Sequence, residues 1–209
     1  MAYFPMFVNL TDSKCLVVGG GNVAYRKIKV LLDFEAYVYV VAKDINDEIR
    51  ALAKSVDRIF LEEREFSPTD LKDKTLVVAA TSDNTLNSQI SSLCKTEKIP
   101  VNVVDCSQLC SFIFPSYLKE QNLVGAFSSS GNSPVLTQML RDYEKKLLTP
   151  KLGEINEQLG KLRPQLIEKF PIEADRKQVI KHLIDFALTA DEFPTDKEFQ
   201  MEIDHDGAK

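Results

Sequence analysis

Gly19-Gly20-Gly21-Asn22-Val23-Ala24 has the spacing G-x-G-x-x-A, directly after the apolar run Cys15-Leu16-Val17-Val18 and ahead of a helical pattern through Val23, Ile28, Leu31 and Leu32. A turn so placed suits a dinucleotide. Gly19 makes the tight turn, Gly21 lets backbone approach a pyrophosphate, and Ala24 allows close helix packing, while the helix N-terminus at Asn22 and Val23 faces the phosphates. A glycine-rich turn in an unrelated α/β domain is the competing reading of the motif alone. Some 20 residues on, where such folds place a ribose-binding acid, Asp44 stands beside Lys43. The acid favours NAD and the lysine leaves room for NADP; Asp44 could equally cap the next helix. Ala80 and Thr81 end a further apolar run with small side chains, leaving room for the nicotinamide ribose, with Ser82 or Asp83 expected as a helix cap. Asp105 closes Val101-Asn102-Val103-Val104, beside the expected nicotinamide position. Both histidines, His182 and His205, lie far along the chain, so Asp105 is the candidate general base, against the plain reading of a loop aspartate capping a turn.

These residues need a scaffold that brings strand ends together. Apolar, β-branched runs at residues 15–18, 37–42, 59–61, 76–80 and 101–104 alternate with helical spacing at Ile45, Ile49, Leu52 and Ala53 and at Leu86, Ile90 and Leu93. Strands apolar throughout and alternating with helices predict an α/β fold, a Rossmann-type parallel sheet covered on both faces. The alternation stops near Cys106. Residues 112–114 and 123–127 read as strands of another layer, and Ser133-Pro134 reads as cap and first residue of a helix with the stripe Leu136, Met139, Leu140, Tyr143, Leu147. That stripe suits a subunit interface or the chain's own C-terminal helices. Helical spacing at Ile155, Leu159 and Leu162 is expected to break at Pro164 and resume from Val179 to Ala187.

Of the 209 residues 44% are hydrophobic and 27% charged, which disfavours collagenous, disordered and disulfide-miniprotein classes. Residues 191–209 hold seven acids against two bases, so the tail carries the whole net charge of −5 and reads as disordered. The balanced remainder gives no electrostatic argument for nucleic acid. No apolar run reaches the ~18 residues of a membrane span, and residues 1–10 lack the basic start and cleavage site of a signal peptide. Four unevenly placed cysteines agree with a reducing compartment, and the expected location is cytoplasmic. No side-chain cluster has metal-ligand spacing, and Cys106 and Cys110, without histidine neighbours, read as packed thiols rather than soft-metal ligands.

Five blocks in order carry a resemblance: residues 15–24 with Arg26-Lys27, Ala79-Ala80-Thr81, Asn102-Val103-Val104-Asp105, Ser111-Phe112-Ile113-Phe114-Pro115-Ser116, and Ser129-Ser130-Gly131-Asn132-Ser133-Pro134. In them the chain resembles the siroheme synthase N-terminal family, strongly over residues 1–150 and more weakly to about 190. The family comprises NAD-dependent precorrin-2 dehydrogenases, some of them also sirohydrochlorin ferrochelatases. The resemblance implies a homodimer with an NAD-binding Rossmann domain (1–113), a dimerisation region (114–148) and a helical domain roofing the substrate (149–190), ahead of the acidic tail (191–209). It implies oxidation of precorrin-2, a polycarboxylate tetrapyrrole, to sirohydrochlorin in siroheme or cobalamin synthesis, with Asp105 taking the proton or orienting the macrocycle. Ser128, Ser129, Ser130 and the helix N-terminus at Ser133 then form a cradle for substrate carboxylates, competing with a solvated loop before a cap, and Arg141 and Lys119 are further candidate partners. Fe²⁺ enters as a substrate in the bifunctional members, a distinction the sequence does not make. Glu35 departs from the family's usual glycine, where a left-handed backbone would cost about 1–2 kcal/mol, and 209 residues leave no room for the long members' C-terminal methyltransferase domain. The competing class is an NAD-sensing regulatory module without catalysis, which leaves Asp105 and the serine block without a purpose.

Overall fold

The computed structural model describes residues 3–207. The chain divides into two compact units between Phe114 and Pro115. In the first, β1 (Lys14–Val18), α1 (Asn22–Asp33), β2 (Tyr37–Ala42), α2 (Asp47–Ser55), β3 (Ile59–Glu63), β4 (Leu76–Ala79), α3 (Asn84–Thr96) and β5 (Val101–Val103) follow one another. The five strands form one sheet in the order β3-β2-β1-β4-β5, with every pairing parallel. The period-2 alternation of side chains divides the core. Cys15, Val17, Val38, Val40 and Val78 pack beneath Ala24, Ile28 and Leu31 of α1 and Ile49 of α2, whereas Leu16, Val18, Val77, Val101 and Val103 pack against Ile90 and Cys94 of α3. The central strands are apolar on both faces, over Cys15 to Val18 and Leu76 to Ala79, because both faces are covered, whereas the edge strand β3 ends in exposed Glu62 and Glu63.

Glu35 does adopt the left-handed backbone, at φ +62°. The turn tolerates it because its backbone N–H donates to Leu32, its carbonyl accepts from Asp12 N–H and the Arg58 guanidinium, and its carboxylate accepts from the Thr11 hydroxyl.

The second unit contains the antiparallel pair β6 (Ser116–Glu120) and β7 (Leu123–Phe127), then α4 (Pro134–Glu144), α5 (Pro150–Lys169), α6 (Glu173–Thr189) and α7 (Asp196–Asp206). Three expectations fail here or at its border. Residues 112–114 are not a strand; Phe112 and Phe114 fold back onto the α1 core with ring centroids 5.4 Å apart, and the strand begins at Ser116. Pro164 does not break α5. Its ring removes one backbone hydrogen bond, at a cost of ~3 kcal/mol, which burial of Ile155 and Leu166 on either side in a common cluster with α6 and α7 outweighs. Nor is the acidic tail disordered over its described length. A capping box between Thr195 and Glu198 starts α7, and Phe199 and Ile203, one helical turn apart, are wholly buried. Two large apolar side chains on one face hold the helix down while Asp196, Glu198 and Asp204 are exposed and Glu202 and Asp206 flank His182; residues 208–209 lie outside the described residues.

Candidate functional site

The sheet order reverses between β1 and β4, and doubly wound sheets bind ligands at such a point, beyond the strands' carboxyl ends. The glycine turn leaves β1 there. Gly19 has φ +128°, and a Cβ on it would lie 2.3 Å from the Ala80 carbonyl oxygen. Gly20, absent from the sequence-based site, is tighter still: a Cβ would lie 1.9 Å from the carbonyl oxygen of Asp44. The two turns are joined by Asn46 N–H donating to the Gly20 carbonyl at 2.9 Å, and by Asn46 Nδ2 donating to Asn22 Oδ1 at 3.1 Å. Gly21, the N-cap of α1, is open, with no heavy atom within 4 Å of where its Cβ would sit. The space over Gly21 at the amino end of a 12-residue helix, with Val23 in its first turn, is what a pyrophosphate requires. The middle position of the motif is itself glycine for a reason internal to the fold, and only the tertiary crossing of the Asp44 backbone reveals it.

Asp44 does not cap α2. Asn46 does, its Oδ1 accepting from Ile49 N–H at 2.9 Å. Asp44 is exposed and makes no hydrogen bond or ion pair among the described residues, leaving its carboxylate available to a ribose. Lys43 is instead held by Glu65 at 2.8 Å, which raises the lysine's pKa and lowers the acid's. A dinucleotide fits these residues: the phosphate position is open, the ribose acid is free, and the nearby cation is engaged elsewhere. At the end of β4, Ala80 is half-buried against the glycine turn, and Asp83 caps α3 by accepting from Thr85 and Leu86 N–H. Thr81 is less free than its position suggests, since its hydroxyl lies 2.8 Å from Oδ1 of the buried Asn87, whose Nδ2 donates to the Thr81 carbonyl. Asn87, another residue the sequence reading passed over, thus fixes the strand end.

Asp105 follows β5 with φ +57°. It caps nothing: the side chain is exposed and has no partner among the described residues. The loop behind it is tied back to β5. The Cys110 sulfur accepts from Val103 N–H at 3.1 Å and lies 3.2 Å from the Val103 carbonyl, Asn102 Nδ2 donates to Phe112 O, and Ser91 Oγ donates to Leu109 O. Cys110 is therefore a packed thiol, its pKa raised chiefly by burial. Burial likewise pushes Cys15 up to about 12 and Cys94 up to about 11, so neither is a nucleophile at neutral pH. The turn presents one free carboxylate to solvent on a rigid mount.

In the second unit, Ser133 caps α4 by accepting from Leu136 N–H at 3.2 Å, and Ser129 Oγ accepts from Ser133 N–H at 2.9 Å. Ser128 Oγ accepts from Ser130 N–H, and Ser130 and Gly131 are both left-handed, at φ +55° and +88°. Each accepting hydroxyl keeps its own proton to donate, so the turn can still take a carboxylate. Arg141 is engaged by Asp142 at 2.7 Å. His182 lies between two acids of α7, with Nδ1 2.6 Å from Asp206 and Nε2 3.2 Å from Glu202. No group of three or more His, Cys, Asp or Glu side chains able to hold a metal occurs among the described residues.

Known proteins resemble this chain in sequence and in fold. The siroheme synthase of Ruthia magnifica is 40% identical over 177 residues, 85% of this chain and 37% of that protein. Those of Zymomonas mobilis and Neisseria meningitidis serogroup C are each 42% identical over the same shares. The chain thus spans about 37% of the length of these relatives. A solved structure described as SirC, precorrin-2 dehydrogenase, superposes with a TM-score of 0.79 at 21% identity, covering 99% of this chain and 100% of that one, and shares its fold. A family model described as putative NAD(P)-binding matches residues 6–116, taking in the glycine turn, Asp44, the end of β4 and Asp105. With an open phosphate position at the sheet's switch point and a free acid after β2, the chain belongs to this NAD(P)-binding family.

Proposed function

We propose that the protein is an NAD-dependent dehydrogenase that oxidises precorrin-2 to sirohydrochlorin, in siroheme or cobalamin synthesis. The observation that carries this is the unpartnered Asp105 carboxylate, on left-handed backbone at the carboxyl end of β5 in the unit that holds the glycine turn. Similarity to siroheme synthases over 85% of the chain supplies the substrate class. Bound NAD supplies a hydride acceptor. The chain's own residues do the rest: Gly21 and the α1 amides receive the pyrophosphate, Asp44 the ribose hydroxyls, and Ala80 leaves room beside them. Asp105 accepts the proton lost with the hydride and releases it to water. The serine turn at residues 128–130 and 133 takes substrate carboxylates. NAD is preferred over NADP because Asp44 repels a 2′-phosphate while Lys43 is held by Glu65.

The protein works as a homodimer through α4, whose stripe Leu136, Met139, Leu140 and Tyr143 is 52, 64, 43 and 67% exposed and so is not covered by the chain's own helices. Among the described residues no helix is long and apolar enough to cross a membrane. A cytoplasmic location suits four cysteines that form no disulfide.

The test supplies precorrin-2 and NAD to the purified protein and follows sirohydrochlorin absorbance. Asp105→Ala should lower turnover by roughly 10²–10⁴-fold, the usual worth of a positioned general base, with NAD affinity unchanged. An Asp105→Ala variant at wild-type rate would refute Asp105 as the base, whereas wild-type protein that binds NAD and forms no sirohydrochlorin would refute the dehydrogenase and favour a nucleotide sensor. The same variant serves for Fe²⁺ as a substrate. Insertion into preformed sirohydrochlorin under anaerobic conditions should depend on Asp105 and survive Cys106→Ser and Cys110→Ser, and equal rates with and without enzyme would remove the chelatase role.

A further inference from the structure

Lys27, in the second turn of α1, is half-buried and makes no hydrogen bond or ion pair among the described residues. Its one close contact is a ring face, the ammonium standing 4.0 Å from the centroid of Phe114. Phe114 in turn packs on the core beneath α1 and on Phe112, so the ring is fixed. Burial disfavours the charged form and Arg26 on the same helix adds to that; the anionic groups whose fields reach Lys27 are Cys110 and Asp105. Cys110 is a thiol held in the protonated range by burial, and Asp105 is the weakest of these influences. Lys27 is therefore desolvated with little compensating negative charge around it.

Partly buried charges are ordinarily paired, because losing water without gaining a counter-ion is costly. Other half-buried lysines obey the rule: Lys151 donates to two carbonyls, and Lys74, which also stands over the Tyr39 ring, donates to the Lys72 carbonyl. Lys27 is less exposed than Lys43 and has only an aromatic face, which holds the ammonium in place without neutralising it. A cation desolvated in advance and fixed in direction is prepared for an anion that arrives from outside the chain. Pyrophosphate is the poorer candidate, since the open position above Gly21 lies at the N-cap of α1 and Lys27 stands more than a turn further along.

We propose that Lys27 is a substrate-binding residue whose ammonium, held on Phe114, pairs with a side-chain carboxylate of the tetrapyrrole and sets the macrocycle against Asp105. The proposal rests on the dehydrogenase reading above and adds to it the residue that recognises the substrate's charge. Lys27 is a fixed cation within reach of the field of Asp105, while the serine turn offers neutral donors.

The probe is uroporphyrin, an octacarboxylate that is not a substrate for oxidation, titrated into the full chain and followed by its own fluorescence. Coproporphyrin, with four carboxylates, is the control. Lys27→Met should weaken uroporphyrin binding roughly 10- to 100-fold, the worth of one charge-assisted bond. Lys27→Arg should stay within a few-fold of wild type, and NAD affinity should not change in either variant. In turnover, KM for precorrin-2 should rise in Lys27→Met and kcat should fall, because the macrocycle loses both its anchor and its orientation toward Asp105. Because a methionine packs well on Phe114 and removes an uncompensated charge, Tm should not fall, so lost binding would not reflect lost folding. Unchanged uroporphyrin affinity in Lys27→Met, with wild type active on precorrin-2, would overturn the inference and leave the dehydrogenase reading standing. A fall in NAD affinity instead would assign Lys27 to the cofactor and equally overturn it. Wild type that neither oxidises precorrin-2 nor binds uroporphyrin would remove both.

Discussion

Two neighbouring glycines of the turn should respond to the same substitution in opposite ways. At Gly21 the backbone has φ −93° and ψ −172°, which alanine adopts freely, and the added methyl meets nothing within 4 Å. Removing glycine's freedom in the unfolded chain gains about 0.4–1 kcal/mol, while alanine as an N-cap loses a similar amount relative to glycine. Gly21→Ala should therefore unfold within about 0.5 kcal/mol of wild type. Its methyl nonetheless occupies the space above the α1 amides, and losing one charge-assisted bond to pyrophosphate costs about 1.5–3 kcal/mol, or roughly 10- to 100-fold in Kd. Gly20→Ala is the reverse case. Its methyl would lie 1.9 Å from Asp44 O and 2.8 Å from Ile45 Cα, both backbone atoms that no rotamer change can move. The β2–α2 connection must shift, at upwards of about 3 kcal/mol, which for a chain of this size lowers Tm by roughly 6–12 °C. Calorimetric unfolding and NAD titration of both variants separate the effects. Wild-type NAD affinity in a normally folded Gly21→Ala protein would refute the pyrophosphate position, and an undiminished Tm in Gly20→Ala would refute the collision.

For cofactor choice, isothermal titration should show NAD bound more tightly than NADP, with Glu65→Ala releasing Lys43 and narrowing the preference severalfold; tighter NADP binding in the wild type would transfer the role to Lys43. For assembly, Met139→Glu, placed on a residue 64% exposed, should convert a dimer to monomer in sedimentation at micromolar concentration, and a wild-type monomer would refute the interface. For the tail, Phe199→Ala should cost about 3–5 kcal/mol, because the ring is fully buried and packs edge-on to Phe186 at 5.9 Å. Limited proteolysis should then cut α7 early, and protection equal to wild type would mean that the helix is held by something other than this ring.

What the sequence determined by itself was whatever depends on local chemistry. Apolar runs alternating with helical spacing suffice for a parallel sheet, because strands covered on both faces cannot afford polar positions. Gly19 and Gly21 are legible because a dinucleotide turn requires those types at that spacing, and Ser133-Pro134 because cap and first-turn preferences act over a few residues. Tertiary structure decided the rest. Gly20 is constrained by the Asp44 backbone and Asn22 is tied to Asn46, pairs separated by more than 20 residues that only the adjacency of β1 and β2 brings together, and with Asn46 taking the cap of α2 Asp44 is left free. Pro164 and the acidic tail were misread for one reason. Local propensity argues against helix at the proline and charge argues against order at the tail, yet burial of Leu166, Phe199 and Ile203 in a shared core outweighs both. Lys27 enters the sequence reading only within a block of family resemblance and without a role, because a lysine on an amphipathic helix looks like solvated surface until Phe114, 87 positions further along the chain, is found beneath its ammonium.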